Sequence, residues 1–211
     1  MQHHHILFSM KNNDSPINLY GTYTYADYLT WKMDEFVELI QGKIFKMPTP
    51  PTVHQVWLGE LAFQIGISIN RKKNPLFMRP FDVRLLNAEK STADEDIYTV
   101  VQPDICVICD PEKIDRRGGI GAPDFMIEVV SKSTLERDMH DKYALYEAAG
   151  VREYWVVFPQ EKTVLVYDLS ENGKYIPRQD IDLAINPLVK IGIFEALEID
   201  FTDLLQLREY K

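Results

Sequence analysis

Apolar residues recur at Val53, Trp57, Leu61, Ile65 and Ile69, and this spacing of four predicts an amphipathic helix over residues 54–70. From Leu76 onward the pattern changes to that of strands. Residues 77–86 read as one strand, and 97–109 as the next, interrupted by Pro103, which marks a bulge, an edge position or a strand start. Residues 125–130 are a nearly continuous apolar run of the kind buried on both faces of a sheet. Residues 133–149 predict a helix with Gly150 as its C′ residue, followed by a central strand at 151–158. Further strands are expected at 163–169 and at Tyr175-Ile176, with a turn at Asn172-Gly173. Upstream, residues 24–33 read as a short helix with Thr24 as N-cap. A hairpin over 35–47 turns at Gln41-Gly42, and Pro48 to Pro51 is a rigid break.

The order of helix, strands, crossover helix and strand predicts an α/β (α+β) fold with a mixed central sheet flanked by helices. Residues 125–158 form a β-α-β unit, so its two strands should be parallel and its crossover right-handed. Residues 1–21 read as a flexible lead, and residues 22–211 as a single domain that opens with a helix and hairpin extension. The tail, with Phe194 to Leu197 and Phe201 to Leu207, is expected to cover a sheet edge.

Two carboxylates interrupt this apolar pattern. Asp104 and Glu128 each sit within a β-prone run, where an unpartnered charge would lose several kcal/mol of solvation. Each must be paired, hydrogen-bonded or holding a metal. Two acids on adjacent strands meet the needs of a hard divalent ion, which takes one or two carboxylates plus water and substrate phosphate. Lys142 lies ~6 Å along its helix from Asp138 at ~1.5 Å per residue. Glu128 lies ~6.6 Å back from Val130 at ~3.3 Å per residue. Strand carboxylate and helix ammonium thus fall at about one depth, as a cation-assisted phosphodiester-cutting site requires. The plainer readings are an ordinary buried ion pair and an Asp138–Lys142 pair on the helix surface.

Composition changes this picture little. Among 211 residues, 45% are hydrophobic, 11% aromatic and 26% charged, which is ample for a packed soluble domain. No run approaches the ~18 apolar residues of a membrane span. The two cysteines, Cys106 and Cys109, point to opposite faces of one predicted strand and read as buried thiols in a reducing, cytoplasmic setting. A net charge of −9 counts against a large non-specific grip on nucleic acid. Arg71-Lys72-Lys73 and Arg116-Arg117 are the local basic patches, and a short basic run is ordinarily a solvated loop.

Several segments together resemble the Uma2 family, also described as DUF820, a group of restriction-endonuclease-like proteins. They are Glu38 to Ile44, His54, Gln102-Pro103-Asp104, Glu128 to Thr134, Asp138 to Lys142 with Tyr146, and Gly150 to Trp155. The resemblance runs from Tyr23 to Leu169 and implies the PD-(D/E)xK nuclease fold, with a site dependent on Mg²⁺ or Mn²⁺ and DNA as substrate. Asp104 then matches the motif aspartate and Glu128 the second acid, the two metal ligands. The pattern departs from the motif at Val130, where the lysine should stand. Either that lysine has moved to Lys142, or Lys132 substitutes, or the site is impaired and the chain is a nuclease-fold binding or assembly module. The family usually carries proline at the position of Lys132, which favours Lys142.

Glu60, Glu38 and His54 are further candidates for the site. Their plainer readings are a surface glutamate, a structural hydrogen bond and a helix-orienting histidine. Ser131 and Thr134 read as caps of the following helix. A homodimer would suit the cutting of two strands.

Overall fold

The computed structural model describes residues 11–12, 15–32, 34–70, 72–87, 90–130, 135, 137–178, 181–194 and 197–207. They form two compact units, one from the chain up to Met47 with Arg84–Val101, the other from Pro48–Val83 with Gln102 onward.

In the first unit Thr24 caps the helix Tyr25–Tyr28 through a reciprocal pair of contacts with Asp27. The helix expected to reach residue 33 stops after one turn. The Thr30 hydroxyl and N–H both turn back to the Asp27 carbonyl, and Trp31–Lys32 continues as a short strand. The expected hairpin is present: Val37–Ile40 pairs with Lys43–Lys46. Gln41 and Gly42 both have positive φ, 49° and 78°, as a two-residue hairpin turn requires. Leu39 pairs onward with Val100 in the strand Thr99–Val101, and the Arg84 guanidinium lies 5.3 Å from the Tyr25 ring centre.

The second unit holds a mixed sheet between helices, labelled here along the chain. Its elements are α1 (Thr52–Ser68), β1 (Leu76–Met78), β2 (Ile105–Val107), β3 (Phe125–Val129), α2 (Lys142–Ala149), β4 (Glu153–Phe158), β5 (Thr163–Leu169) and β6 (Tyr175–Pro177). The strand order is β6-β5-β4-β3-β2-β1. Strands β3 and β4 run parallel, as their joining helix demands, and the other neighbours are antiparallel.

Alternation along the strands divides the residues between two faces. Ile105, Val107, Phe125, Ile127, Val129, Trp155 and Val157 form one core with Trp57, Leu58, Leu61 and Ile65 of α1. Each such side chain contributes about 1.5–3 kcal/mol on burial. Cys106, Met126, Glu128 and Tyr154 alternate with these, and Tyr146 of α2 meets Tyr154 edge to face at 5.0 Å.

The strand expected at 77–86 and the tail need correction. The strand expected at 77–86 is broken, into β1 and Val83–Leu85, across a segment that contains Pro80. The interruption expected at Pro103 is present: one strand ends at Val101 and β2 starts at Ile105, because Pro103 has no N–H to give to a ladder. The tail does more than cover a sheet edge. Leu197, Phe201 and Leu204 enter the core beside α1, and Gln64 exchanges two hydrogen bonds with the Asp200 backbone.

The helix expected at 133–149 is described from Arg137, as a π-helical turn over Arg137–Asp141 leading into α2. Gly150 closes it with φ 91°, donating its N–H to the Tyr146 and Glu147 carbonyls. The caps Ser131 and Thr134 lie outside the described residues. Cys106 is buried as expected, whereas Cys109 is only half-buried.

Candidate active site

Strands β2 and β3 pair as Val107↔Phe125, Cys106↔Met126 and Ile105↔Ile127. One residue past the end of that ladder stand Asp104 and Glu128, at the same level of the sheet. Backbone pairing stops there, and the Asp104 side chain continues it: its Oδ2 accepts the Val129 N–H at 2.8 Å. Pro103 thus ends a strand at the place where an acid side chain takes over a ladder contact.

Asp104 is 2% exposed and is held from two further directions. His54, in the first turn of α1, brings Nε2 to within 3.0 Å of Oδ2. Arg79, just past β1, places Nε 3.0 Å from Oδ1 as an ion pair. Burial alone would push the Asp104 carboxyl up. The hydrogen bond and charge of His54, the Arg79 guanidinium and the Val129 N–H outweigh it and hold the carboxyl below its ordinary value.

Glu128 is 3% exposed and looks toward α2. Its Oε1 accepts from Lys142 Nζ at 2.8 Å and from the Tyr146 hydroxyl at 2.8 Å. Lys142 and Tyr146 stand four apart, so one helix face delivers both donors. The Lys142 side chain is itself 4% exposed, which makes the pair a buried one. Burial and the charge of Glu128 together push the neighbouring Cys106 thiol far up, which keeps it a neutral core residue.

The site therefore assembles Asp104, Glu128, Lys142 and His54 from the candidate residues. Glu60 stays on its own helix, where its Oε1 accepts from Gln64 at 2.9 Å. Glu38 lies in the first unit and is buried there. Lys132 lies outside the described residues, and so does the side chain of Asp138.

The sequence reading missed Arg79 and named Tyr146 only as part of the family resemblance. Arg79 carries no motif, and its one signal is a cation placed beside a proline in a strand-like run. Tyr146 was findable, since it follows Lys142 at the spacing that shares a helix face.

Among the described residues no group of three His, Cys, Asp or Glu is gathered for a metal ion. The donor chemistry at Asp104 nevertheless suits a hard cation. Its Oδ1 is buried with no aligned hydrogen-bond donor among the described residues, and the Arg79 guanidinium only balances its charge. Such an oxygen, at the sheet level of a second carboxylate, is of the kind a divalent ion of the magnesium type takes as ligand.

The Uma2 family model, described as "Putative restriction endonuclease", matches residues 25–193. The chain belongs to the Uma2 family. The match takes in all four residues gathered at the site, and it agrees with the resemblance carried by the Gln102–Asp104, Glu128 and Gly150–Trp155 segments. A crystal structure from Anabaena variabilis, described as a "putative nuclease belonging to DUF820", is similar at a TM-score of 0.66 and 22% identity. The likeness covers 87% of this chain and 97% of that one and shows a shared fold. No curated protein matches the chain. No helix among the described residues of this Uma2 member is long and apolar enough to cross a membrane.

Proposed function

We propose that this chain is an endonuclease that hydrolyses DNA phosphodiester bonds with Mg²⁺ or Mn²⁺. The observation that carries this reading is the placing of Asp104 and Glu128 at one level of two paired strands, with Lys142 on Glu128. Asp104 and Glu128 would hold the ion. Once bound, it would polarise the scissile phosphate and make bound water a stronger acid.

The other groups have their own tasks. His54 and the Val129 N–H fix one oxygen of Asp104, and Arg79 balances its charge, so the other oxygen keeps a set direction. Tyr146 orients Glu128. Lys142, 2.8 Å from Glu128, supplies a positive charge for the phosphate as negative charge builds on it. Water attacks phosphorus in line, and the strand's oxygen leaves opposite.

The test is nicking of supercoiled plasmid in Mg²⁺ or Mn²⁺ by the wild type, Asp104→Ala and Glu128→Ala. Cleavage is expected from the wild type alone, and cleavage that survives both substitutions sinks the reading. A second reading, a nuclease-fold module without turnover, is favoured by Val130 at the motif lysine's place. Titration calorimetry separates the two, because the inert module would take up no Mn²⁺ at millimolar concentration. A symmetric pair of chains would present two such sites to two strands, and light scattering tests for it.

A further inference from the structure

Next to Arg79 and two residues from Asp104 along the chain lies a cleft of about 400 Å³, lined by Pro80, Phe81, Asp82, Gln102, Arg116 and Arg117 among others. Two of its walls run directly into the site. Pro80 follows Arg79, which pairs with Asp104, and Gln102 stands two residues before Asp104.

The cleft is built rather than incidental. Arg116 and Arg117, both exposed, form the tip of a hairpin between Ile114–Asp115 and Gly118–Ile120. Two glycines seat that hairpin on the opposite wall. The Gly119 N–H donates to the Asp82 carbonyl at 2.8 Å. At Gly118, φ is +124° and an added Cβ would meet that same oxygen at 2.2 Å. On the other wall Gln102, 6% exposed, donates Nε2–H to Asp82 Oδ1 at 2.8 Å. Phe81 lies flat on Phe77, ring centres 4.0 Å apart and planes within 8°.

The residue types specify a ligand. Guanidinium forks match phosphate oxygens. An aromatic wall accepts the flat face of a base, and a fixed amide reads its edge. The two acids at the cleft already accept from within the fold, Asp82 from Gln102 and Asp115 from the Arg117 N–H. In a chain of net charge −9, attraction for phosphate has to be local, and this arginine pair supplies it. A volume of about 400 Å³ suits one nucleotide and is too small for a duplex.

We infer that this cleft holds one nucleotide of the DNA strand next to the scissile phosphate. A phosphate lies on Arg116 and Arg117, and the base lies against Phe81 with its edge toward Gln102 and Asp82. This assignment rests on the nuclease reading above.

The test measures fluorescence anisotropy of a fluorescein-labelled single-stranded 20-mer in EDTA, where no metal-dependent cleavage competes. Wild type, Arg116→Ala/Arg117→Ala and Phe81→Leu are compared across salt concentrations, each with a thermal melt. The double variant should bind about tenfold more weakly, and its slope of log K on log salt should be shallower by about 1.4. Phe81→Leu should weaken binding about fivefold with the slope unchanged. If its melt shows that Phe81→Leu is unfolded, the arginine pair alone decides.

Binding and slope equal to wild type in the double variant overturn the proposal, as does a wild type that does not bind the strand. Plasmid nicking in Mg²⁺ is read on the same proteins. Nicking by the wild type with unaltered binding in the double variant removes the cleft and leaves the nuclease. Binding that depends on the arginines in a chain that never nicks keeps the cleft and removes the nuclease.

Discussion

Of the three acids buried among the described residues of the second unit, Asp104, Glu128 and Glu153, the first and last use their partners in different ways. Glu153, at the start of β4, is fully buried, and both of its oxygens are satisfied. Its Oε1 accepts from Trp155 Nε1 at 2.7 Å and faces Arg178 at 3.2 Å, while Oε2 accepts the Ile193 N–H at 2.9 Å. Asp168 takes two more donors of the same guanidinium. A Cβ on Gly192 would meet that guanidinium at 2.2 Å, so the chain closes tightly around the network. Asp104 is also deeply placed, yet among the described residues its Oδ1 has a counter-ion and no aligned donor. An unmade hydrogen bond on a buried group costs about 1–3 kcal/mol, which a site serving stability alone avoids. Between these two acids, burial does not separate the proposed working group from the structural one, whereas completeness of hydrogen bonds does.

The largest expected effect tests that separation directly. Asp104→Asn and Glu128→Gln should each lower the plasmid-nicking rate by at least about a thousandfold, the scale of losing a group that acts on the reacting atoms. Glu153→Gln should leave the rate within about threefold wherever the protein stays folded. A Glu153 variant that folds normally and fails to nick would break the comparison.

Stability should run the other way. Glu153→Gln leaves Arg178 without its buried partner and should cost about 2–3 kcal/mol, a fall in Tm of roughly 5–10 °C by calorimetry. Gly192→Ala pushes the same guanidinium aside and should cost about 1–2 kcal/mol. Asp104→Asn should shift Tm less than Glu153→Gln, because its surroundings already lack one hydrogen bond. A larger fall for Asp104→Asn than for Glu153→Gln would show Asp104 to be structural.

Metal should sharpen the same contrast at smaller scale. At tenfold the dissociation constant, Mn²⁺ should stabilise the wild type by about 1.4 kcal/mol, seen as a rise in Tm. The rise should vanish in Asp104→Asn and persist in Glu153→Gln. Equal rises in all three proteins would place the ion elsewhere.

The sequence carried the acids of this comparison unevenly. Asp104 and Glu128 were legible because each interrupts an apolar run, and alternation together with helix rise put Lys142 at the depth of Glu128. Helix α1, the parallel β3–β4 pair and the Gln41-Gly42 turn were legible for similar reasons, since period and turn chemistry are local. Arg79 was not, because its contact with Asp104 joins residues far apart in the chain and follows from where β1 breaks. Glu153 was quoted only as part of a motif. Its role depends on Arg178 and Ile193, which the tail brings back to the sheet, and no local spacing encodes that return. Lys142 could be placed near Glu128 but not aimed at it, as helix rotation depends on how Tyr146 packs on Tyr154.

A further acid, at the start of the neighbouring strand β3, offers the finest test. Asp124, one residue before β3, has both oxygens engaged, Oδ1 by Arg152 at 3.1 Å and Oδ2 by the Cys109 N–H at 2.8 Å. By completeness of its partners it belongs with Glu153, but Arg152 is largely exposed, so its pairing is worth little. Asp124→Asn should therefore nick normally and cost under about 1 kcal/mol. Its clearest mark should be on Cys109, whose thiol is pushed up to about 11 by burial, then by the charge and hydrogen bonding of Asp124. Near pH 8 only about one such thiol in a thousand is ionised. Removing the negative neighbour favours the thiolate, so Asp124→Asn should move the alkylation profile to lower pH and speed iodoacetamide labelling at pH 8 several-fold. Cys106, buried and held higher still by Glu128, should stay unlabelled in both proteins. Faster labelling without loss of nicking would set Asp124 beside Glu153. Loss of nicking would move it to the side of Asp104 and end the rule that completed partners mark a structural acid.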